Sequence, residues 1–488
     1  MPLQRGQGAP PVLHALFGAG AWAHDLTELD GLDYLSAPRG AIAAAQTLAA
    51  CAFGAGRTWF LVNGTTVGVH AAVLAACRPG DAVVLGRNCH GSALAACALA
   101  GVVPFFAEAP LDEALGVAHA VTPAAAAAAL DAAAAACFEA PPRRDGTRPR
   151  VALLLVVSPT YFGAAADVAG LAREAHARGV PLAVDEAHGP HLSFAEQALE
   201  AQCGGDEGLR AAVAMLPRSA LACGADVAVQ STHKTLPALT QAAMLHCAAS
   251  GRVPPARLAA ALQLLQSSSP SYLLLASLDA ARAHAATGAP LAAAVARARE
   301  ARAGIATHAP SLRVLGPSDV GAPGVDALDI TRLTVATSGL GVASGYAVGA
   351  FLAREGVTPE LVAPRCVVFV IASGTTRGDV DRLVNALARL AAAAPQAGGD
   401  AQADAWPQLP PAPEAAMSPR RAAFAERERV AFTDAVGRIS ADTLCPYPPV
   451  RHWLHCRAWQ EAALPRLVSD ACVLLRRRAF RWRSRAAC

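Results

Sequence analysis

The chain has 488 residues and a formal net charge of +3, a length that allows two or three domains with large apolar cores. It contains no stretch of about 18 strongly apolar, uncharged residues, so we predict no transmembrane helix. The first residues lack the basic-then-apolar pattern of a secretory signal. The 13 cysteines show neither CxxC pairs nor metal-ligand spacing, which favours free thiols in a reducing compartment and predicts no metal site.

The charge is divided unevenly along the chain. Residues 450–488 contain nine arginines and two acidic residues, a net charge of +7, so the first 449 residues carry about −4. A mildly acidic body argues against nucleic acid as the main partner.

Short apolar runs alternate with helix-like segments between residues 58 and 250. Strands are predicted at 58–62, 81–85, 102–106, 151–157, 182–185 and 227–230, and helices at 67–77, 92–99 and 168–177. This alternation favours an α/β fold with a mainly parallel sheet. Ligands of such sheets gather beyond the carboxyl ends of the strands.

The second half of the chain predicts a smaller α/β domain. Its patterns include strand-like runs at 328–335 and 366–371 and a helix at 347–355. Two alanine tracts, at 124–129 and 132–136, predict one surface helix. The predicted division is an N-terminal segment (1–30), a large domain (31–275), a small domain (276–395), a linker (396–431, with its Pro- and Gly-rich part at 396–416) and a partial C-terminal domain (432–488).

Lys234 is the only lysine among the 41 basic residues. The chain uses arginine at every other position that needs a fixed cation. Arginine does not lose its proton near neutral pH, whereas lysine can, and only lysine offers a nucleophilic amine. Because Lys234 follows a predicted strand and a short polar turn, we expect it to point into a cleft. The alternative is a surface lysine that has survived by chance.

Asp185 ends the predicted strand at 182–185, about 50 residues before Lys234. A carboxylate at that place can keep the pyridine nitrogen of a bound cofactor protonated. The alternatives are an ordinary acidic residue at a strand end, or a metal ligand together with His188.

Other residues complete the requirements of pyridoxal-phosphate (PLP) chemistry, which needs an amine, an anion near the ring nitrogen, a phosphate cradle and a group against the ring face. Gly64, Thr65 and Thr66 open a helix after a strand, where free N–H groups favour a phosphate. Ser231 is a second phosphate donor. His90 is a candidate for stacking on the ring, although a lone histidine is more often structural. His233, beside the lysine, is a candidate proton donor.

Longer motifs carry a family resemblance that extends over about residues 5–449. They are DLTEL (25–29), FLVNGTT (60–66), RNCH (87–90), SPTYFG (158–163), VDEAHG (184–189), QSTHKTL (230–236), SPSY (269–272) and CPYPP (445–449). On these stretches the chain resembles the Orn/Lys/Arg decarboxylases, PLP enzymes of fold type I that act on basic amino acids.

The resemblance implies a role for each matched residue. Lys234 would form the Schiff base with PLP, Asp185 would pair with the ring nitrogen, and His233 would lie beside the reacting carbons. The implied cofactor-binding set is Gly64, Thr65, Thr66, His90, Asp185, Ala187, Ser231, His233 and Lys234. Family members form dimers with shared active sites, so Ser269 would reach a neighbouring subunit's site, and the amine product would enter polyamine biosynthesis.

The chain departs from the family pattern in three places. Gly91 replaces a bulkier residue after the stacking histidine. The opening is reduced to residues 3–6, so we expect a clipped start. After Pro449 the family motif breaks off into a basic, tryptophan-rich tail, residues 450–488, which we expect to be foreign to the fold; a native basic arm is the alternative.

The predicted function is PLP-dependent decarboxylation of arginine, lysine or ornithine by a homodimer or higher homo-oligomer without nucleic-acid or membrane partners. Two alternatives stay open: another fold type I activity such as aminotransfer, or a PLP-binding protein inactivated by its altered C-terminal end. We expect a cytoplasmic protein, or a plastid one if the start is incomplete.

Overall fold

The computed structural model describes residues 9–29, 31–202, 206–337, 340, 345–393, 417–431, 439 and 471–475. The Pro- and Gly-rich segment at 396–416 lies outside the described residues, as does most of the basic tail. Within the described part of the chain, no helix combines the length and apolarity needed to cross a membrane.

The helices follow one another along most of the described chain. They are α1 (Pro11–His24), α2 (Ala41–Ala52), α3 (Gly64–Ala76), α4 (Gly91–Ala100), α5 (Pro123–Glu139), α6 (Val168–Ala177), α7 (Ala195–Gln202), α8 (Glu207–Ala214), α9 (Thr232–Thr235), α10 (Pro255–Leu265), α11 (Tyr272–Ala285), α12 (Ala289–His308), α13 (Gly345–Arg354), α14 (Arg377–Ala393) and α15 (Pro419–Ala423).

The strands belong to one large sheet and several small ones. They are β1 (Arg57–Leu61), β2 (Ala82–Gly86), β3 (Val103–Ala107), β4 (Leu111–Asp112), β5 (Val117–Ala118), β6 (Val151–Val157), β7 (Ala164–Ala165), β8 (Leu182–Asp185), β9 (Val227–Gln230), β10 (Ala243–Cys247), β11 (Ala327–Leu328), β12 (Arg332–Ala336), β13 (Leu361–Val362), β14 (Cys366–Val370), β15 (Arg427–Ala431) and β16 (Ala471–Leu475).

The large sheet has seven strands in the order β1-β10-β9-β8-β6-β2-β3. The five strands from β9 to β3 are parallel, and β10 is antiparallel to both of its neighbours. Strands such as β6 are apolar throughout and buried along most of their length, as expected for parallel strands covered by helices on both faces. The predicted α/β fold with a mainly parallel sheet is confirmed.

The predicted elements of the first half are present, with ends that differ by at most three residues. The two alanine tracts form the single helix α5, as predicted, but one face of it is buried through residues such as Leu130 and Ala133. The sequence did not predict β10, which inserts between β1 and β9.

The strand-like run at 328–335 is not one strand, and this prediction was wrong. It is broken into β11 and β12 by a turn in which Asp329 Oδ1 accepts hydrogen bonds from the backbone N–H and the hydroxyl of Thr331, at 3.0 and 2.6 Å. A side chain that satisfies the following backbone in this way favours a turn over a continuous strand.

The second sheet is antiparallel, in the order β12-β14-β13. An apolar core joins it to helices α12, α13 and α14, with Leu333, Leu352 and Leu387 fully buried. This is the smaller α/β unit that the sequence predicts, although its boundaries at 276 and 395 stay a prediction.

Residues 417–431 are not a plain linker, which corrects part of the predicted 396–431 segment. Ser418 begins α15, where its hydroxyl accepts a hydrogen bond from Arg421 N at 3.4 Å, and Arg420 Nη1 donates to Leu99 O at 3.1 Å. The strand β15 pairs antiparallel with β16. Because β16 lies in the basic tail, this pairing argues against a tail that is wholly foreign to the fold. The origin of the tail stays a prediction.

Candidate active site

Asp185 is the last residue of β8 and is 6% exposed. Its Oδ1 accepts a hydrogen bond from Ala187 N at 3.2 Å, which turns the chain at the strand end. Burial raises the pKa of Asp185, and the nearby charges of His90 and Lys234 oppose that rise. A carboxylate at this depth is stabilised by a cationic partner.

Lys234 lies on the one-turn helix α9, just beyond the end of the neighbouring strand β9. Its Nζ is 3.1 Å from His188 Nε2. Burial lowers the pKa of Lys234; Asp185 and Glu360 raise it again, and Arg332 lowers it further. Adjacent parallel strands thus bring the predicted amine and the predicted carboxylate to one edge of the sheet.

A cavity of about 720 Å³, partly open to solvent, lies at this edge. Its walls are Thr65, Asn88, Cys89, His90, Ala118, Val157, Thr160, Tyr161, Phe162, Asp185, Ala187, His188 and Lys234. Five residues predicted from the sequence therefore line one cavity: Thr65, His90, Asp185, Ala187 and Lys234.

The predicted phosphate cradle lies at the beginning of α3. No side chain caps this helix end, so its N–H groups are available to an anion. Gly64 has a φ of +70°, a conformation that glycine adopts readily. Thr65 Oγ1 and the buried Ser231 Oγ are 3.1 Å apart, whereas Thr66 is exposed.

His90 stands at the rim of the cavity as the N-cap of α4. Its Nδ1 accepts a hydrogen bond from Ser92 N at 3.2 Å and lies 2.9 Å from Ser92 Oγ. These contacts fix the ring while leaving the residue exposed, which is compatible with the predicted stacking role.

His233 makes a backbone contact outside the cavity wall. Its Nδ1 lies 2.9 Å from Ala242 O, and it is not among the residues that line the cavity. His188 contacts the Lys234 amine instead. The role of His233 as a proton donor, and that of Ser269 at a neighbouring site, stay predictions; the exposed Ser269 donates through its N–H to Ser267 Oγ at 3.1 Å.

Four residues without a predicted cofactor role surround the pair: Tyr161 and His188 line the cavity, and Glu360 and Arg332 contact those two. The Tyr161 ring meets the His188 ring at 4.6 Å and 63°, and its hydroxyl donates to Glu360 Oε1 at 2.6 Å. Tyr161 and His188 fall inside the SPTYFG and VDEAHG motifs, so a signal for them existed. Arg332 and Glu360 come from the second sheet and belong to none of the quoted motifs.

The residues present fit PLP on observations of this structure. The cavity joins a buried carboxylate, an amine and an uncapped helix end. The Thr160 hydroxyl is a further sign, because it lines the cavity and is buried without a hydrogen-bond partner. A group that offers polar atoms would satisfy it.

Solved structures share this fold. The constitutive lysine decarboxylase of E. coli has a TM-score of 0.72 at 18% identity, covering 93% of this chain and 71% of that one. Lysine decarboxylase A of Pseudomonas aeruginosa has a TM-score of 0.73 at 24% identity, covering 91% and 69%. At these identities the likeness shows the fold, and fold and site together define a PLP enzyme of fold type I.

Sequence relatives narrow the class to one family. The model of the Orn/Lys/Arg decarboxylase major domain matches residues 6–379. The arginine decarboxylase of Bacillus subtilis is 34% identical over 448 residues, 91% of this chain and 84% of the relative. The lysine decarboxylase LdcA of Pseudomonas aeruginosa is 29% identical over 273 residues, 55% and 34%. This chain belongs to the Orn/Lys/Arg decarboxylase family, whose members are PLP-dependent carboxy-lyases.

Proposed function

We propose that this enzyme releases the α-carboxylate of a basic amino acid as CO2, with arginine the first candidate among arginine, lysine and ornithine. The observation that carries the proposal is the meeting of Lys234 and Asp185 in one cavity, with Glu360 bound to the Tyr161 hydroxyl of its wall. Arginine is placed first because relatives named arginine decarboxylase are 32–34% identical over 91% of the chain.

Each residue of the chain has a defined task in this proposal. Lys234 would hold PLP through its side-chain amine. Asp185 would keep the ring nitrogen protonated, while Thr65, Ser231 and the N-terminus of α3 would bind the phosphate. PLP, when bound, accepts the electron pair of the bond that breaks.

Glu360 is the candidate partner of the substrate's distal cation. It precedes β13, and its Oε1 accepts the hydrogen bond from the Tyr161 hydroxyl on the cavity wall. Its charge also raises the pKa of Lys234, so its field reaches the amine. A carboxylate so placed attracts the guanidinium or ammonium group of a basic side chain.

The decisive experiment is CO2 release from carboxyl-labelled arginine, lysine and ornithine, with the amine product identified. Release of CO2 with formation of agmatine supports the arginine proposal. A keto acid without CO2 would favour an aminotransferase. Bound PLP without turnover of any of the three would favour an inactive PLP-binding protein.

The remaining parts of the proposal concern assembly and location. We propose a cytoplasmic homodimer whose subunits share active sites, without nucleic-acid or membrane partners. Light scattering after gel filtration tests the dimer. Mixing Lys234→Ala subunits with Ser269→Ala subunits then tests sharing, since hybrid dimers regain one intact site only if Ser269 serves its neighbour.

A further inference from the structure

We propose that Arg332 is a positioning residue that keeps the Lys234 amine unprotonated, and that it acts through one tautomer of His188. The inference rests on the proposed role of Lys234 as the attacking amine. Its test needs no turnover, so a failed substrate assay and a failed test of this inference are distinguishable.

Three side chains form a continuous line from the second sheet to the lysine. Arg332 is the first residue of β12 and is 1% exposed. Its Nη2 lies 3.2 Å from His188 Nδ1. His188 Nε2 lies 3.1 Å from Lys234 Nζ. Both distances are within hydrogen-bond range.

The chemistry of the guanidinium decides the tautomer of His188. A guanidinium only donates hydrogen bonds, so His188 Nδ1 must accept and therefore carries no proton. The neutral imidazole then has its proton on Nε2. Burial lowers the pKa of His188 well below the ordinary value, and the Arg332 charge adds to that effect, which agrees with a neutral ring.

The tautomer of His188 in turn decides which hydrogen bond it can form with Lys234. The Nε2–H of His188 is a donor directed at Nζ, and an ammonium group has three donors and no acceptor. The contact is a hydrogen bond only when Nζ has its lone pair free. That is the nucleophilic form of the amine.

The surroundings hold Arg332 and His188 in these positions. The Tyr161 ring packs edge-on against His188. Gly163 has a φ of +100°, and a Cβ there would lie 2.9 Å from the Arg332 Cβ. The fully buried Asp329 balances the guanidinium charge and is itself 3.1 Å from His191 Nε2. The counter-ion Asp329 and the packed Tyr161 ring therefore keep Arg332 and His188 in contact.

The charges that act on Lys234 come from three places in the fold. Asp185 at the end of β8 and Glu360 before β13 favour the ammonium form, whereas Arg332 on β12 opposes it. His90, before α4, acts electrostatically on Asp185 and on His188. Burial is the largest effect that lowers the pKa of Lys234; the two carboxylates oppose it, and the Arg332 charge adds to the lowering.

The single lysine makes the test direct. In the full chain freed of PLP, the rate of acetylation of Lys234 is measured against pH by mass spectrometry, with the amino terminus as internal reference. Arg332→Met should move the titration of Lys234 upward by about one pH unit. Arg302→Met is the matched control, because Arg302 is a part-buried arginine whose partners in the described part of the chain are the carbonyls of Ile330, Leu315 and Arg332 rather than His188.

A second pair of variants separates the route through His188 from a direct charge effect. His188→Phe should also raise the titration of Lys234, and adding Arg332→Met to it should then produce a smaller shift than in the parent, because only the direct charge effect of Arg332 remains. This pair also serves if Arg332→Met alone does not fold. The proposal is overturned if Arg332→Met leaves the titration unchanged, if Arg302→Met shifts it equally, or if Arg332→Met keeps its full effect in the His188→Phe background.

Discussion

The two sides of the cavity are built in different ways. On one side, Asp185 and Lys234 follow adjacent strands of the large parallel sheet, at ends that the chain's own alternation of elements predicts. On the other side, the wall residues His188 and Tyr161 contact Arg332 of the antiparallel second sheet and Glu360, which precedes β13. The predicted reactive groups therefore belong to short motifs, whereas the charged groups behind the wall lie 98 and 126 residues after Lys234 in the chain.

The largest effect is expected at Lys234. Lys234→Ala and Lys234→Arg should both abolish covalent attachment of PLP, because the chain has no other lysine side chain. Borohydride reduction of the holoenzyme, followed by peptide mapping, should place PLP on the Lys234 peptide alone. A stable visible imine band in either variant would show that the reactive side of the cavity has been misassigned.

Asp185→Asn should keep PLP attached but slow decarboxylation severely. The amide does not hold the ring nitrogen protonated, and a loss of about 2–4 kcal/mol in transition-state stabilisation is expected, similar to other electrostatic contributions. Steady-state kinetics and the visible spectrum measure the two properties separately. Activity within a few-fold of the parent would place the essential carboxylate elsewhere.

Glu360→Gln tests whether the carboxylate near the second sheet binds the substrate's distal cation. It should raise KM for the basic amino acid about fivefold with a smaller change in kcat, because an exposed charge pair contributes at most about 1 kcal/mol. Tyr161→Phe is the matched control, since it removes the hydrogen bond to Glu360 but leaves the charge. An equal effect of both variants would assign the role to the hydrogen bond rather than to the carboxylate.

The smallest effect is expected from the tail. Deletion of residues 450–488 should leave PLP attachment unchanged, because the cavity walls in the described part of the chain come from between Thr65 and Lys234, and limited proteolysis should cut there first. The pairing of β16 with β15 is the observation that opposes this expectation. Unfolding on deletion, or protection of the tail from protease, would make the segment native structure.

The amino-acid sequence by itself determined the class of sheet, most elements of the first half, and the candidates for the site. Local periodicity specifies strands and helices. The lone lysine and the strand-end aspartate could be selected as candidates without knowledge of their neighbours, because no other side chain of the sequence is a lysine and a strand end places a carboxylate at the edge of the sheet.

Only the tertiary structure decided which groups face that pair. Nothing local distinguishes Arg332 from the other 39 arginines, and its burial against His188 follows from the packing of the second sheet on the first. The contact of His233 with Ala242 O could not be predicted from the sequence either, because Ala242 belongs to the loop before β10. Contacts between residues far apart in the sequence depend on how helices and sheets pack, and a local sequence pattern does not predict that packing.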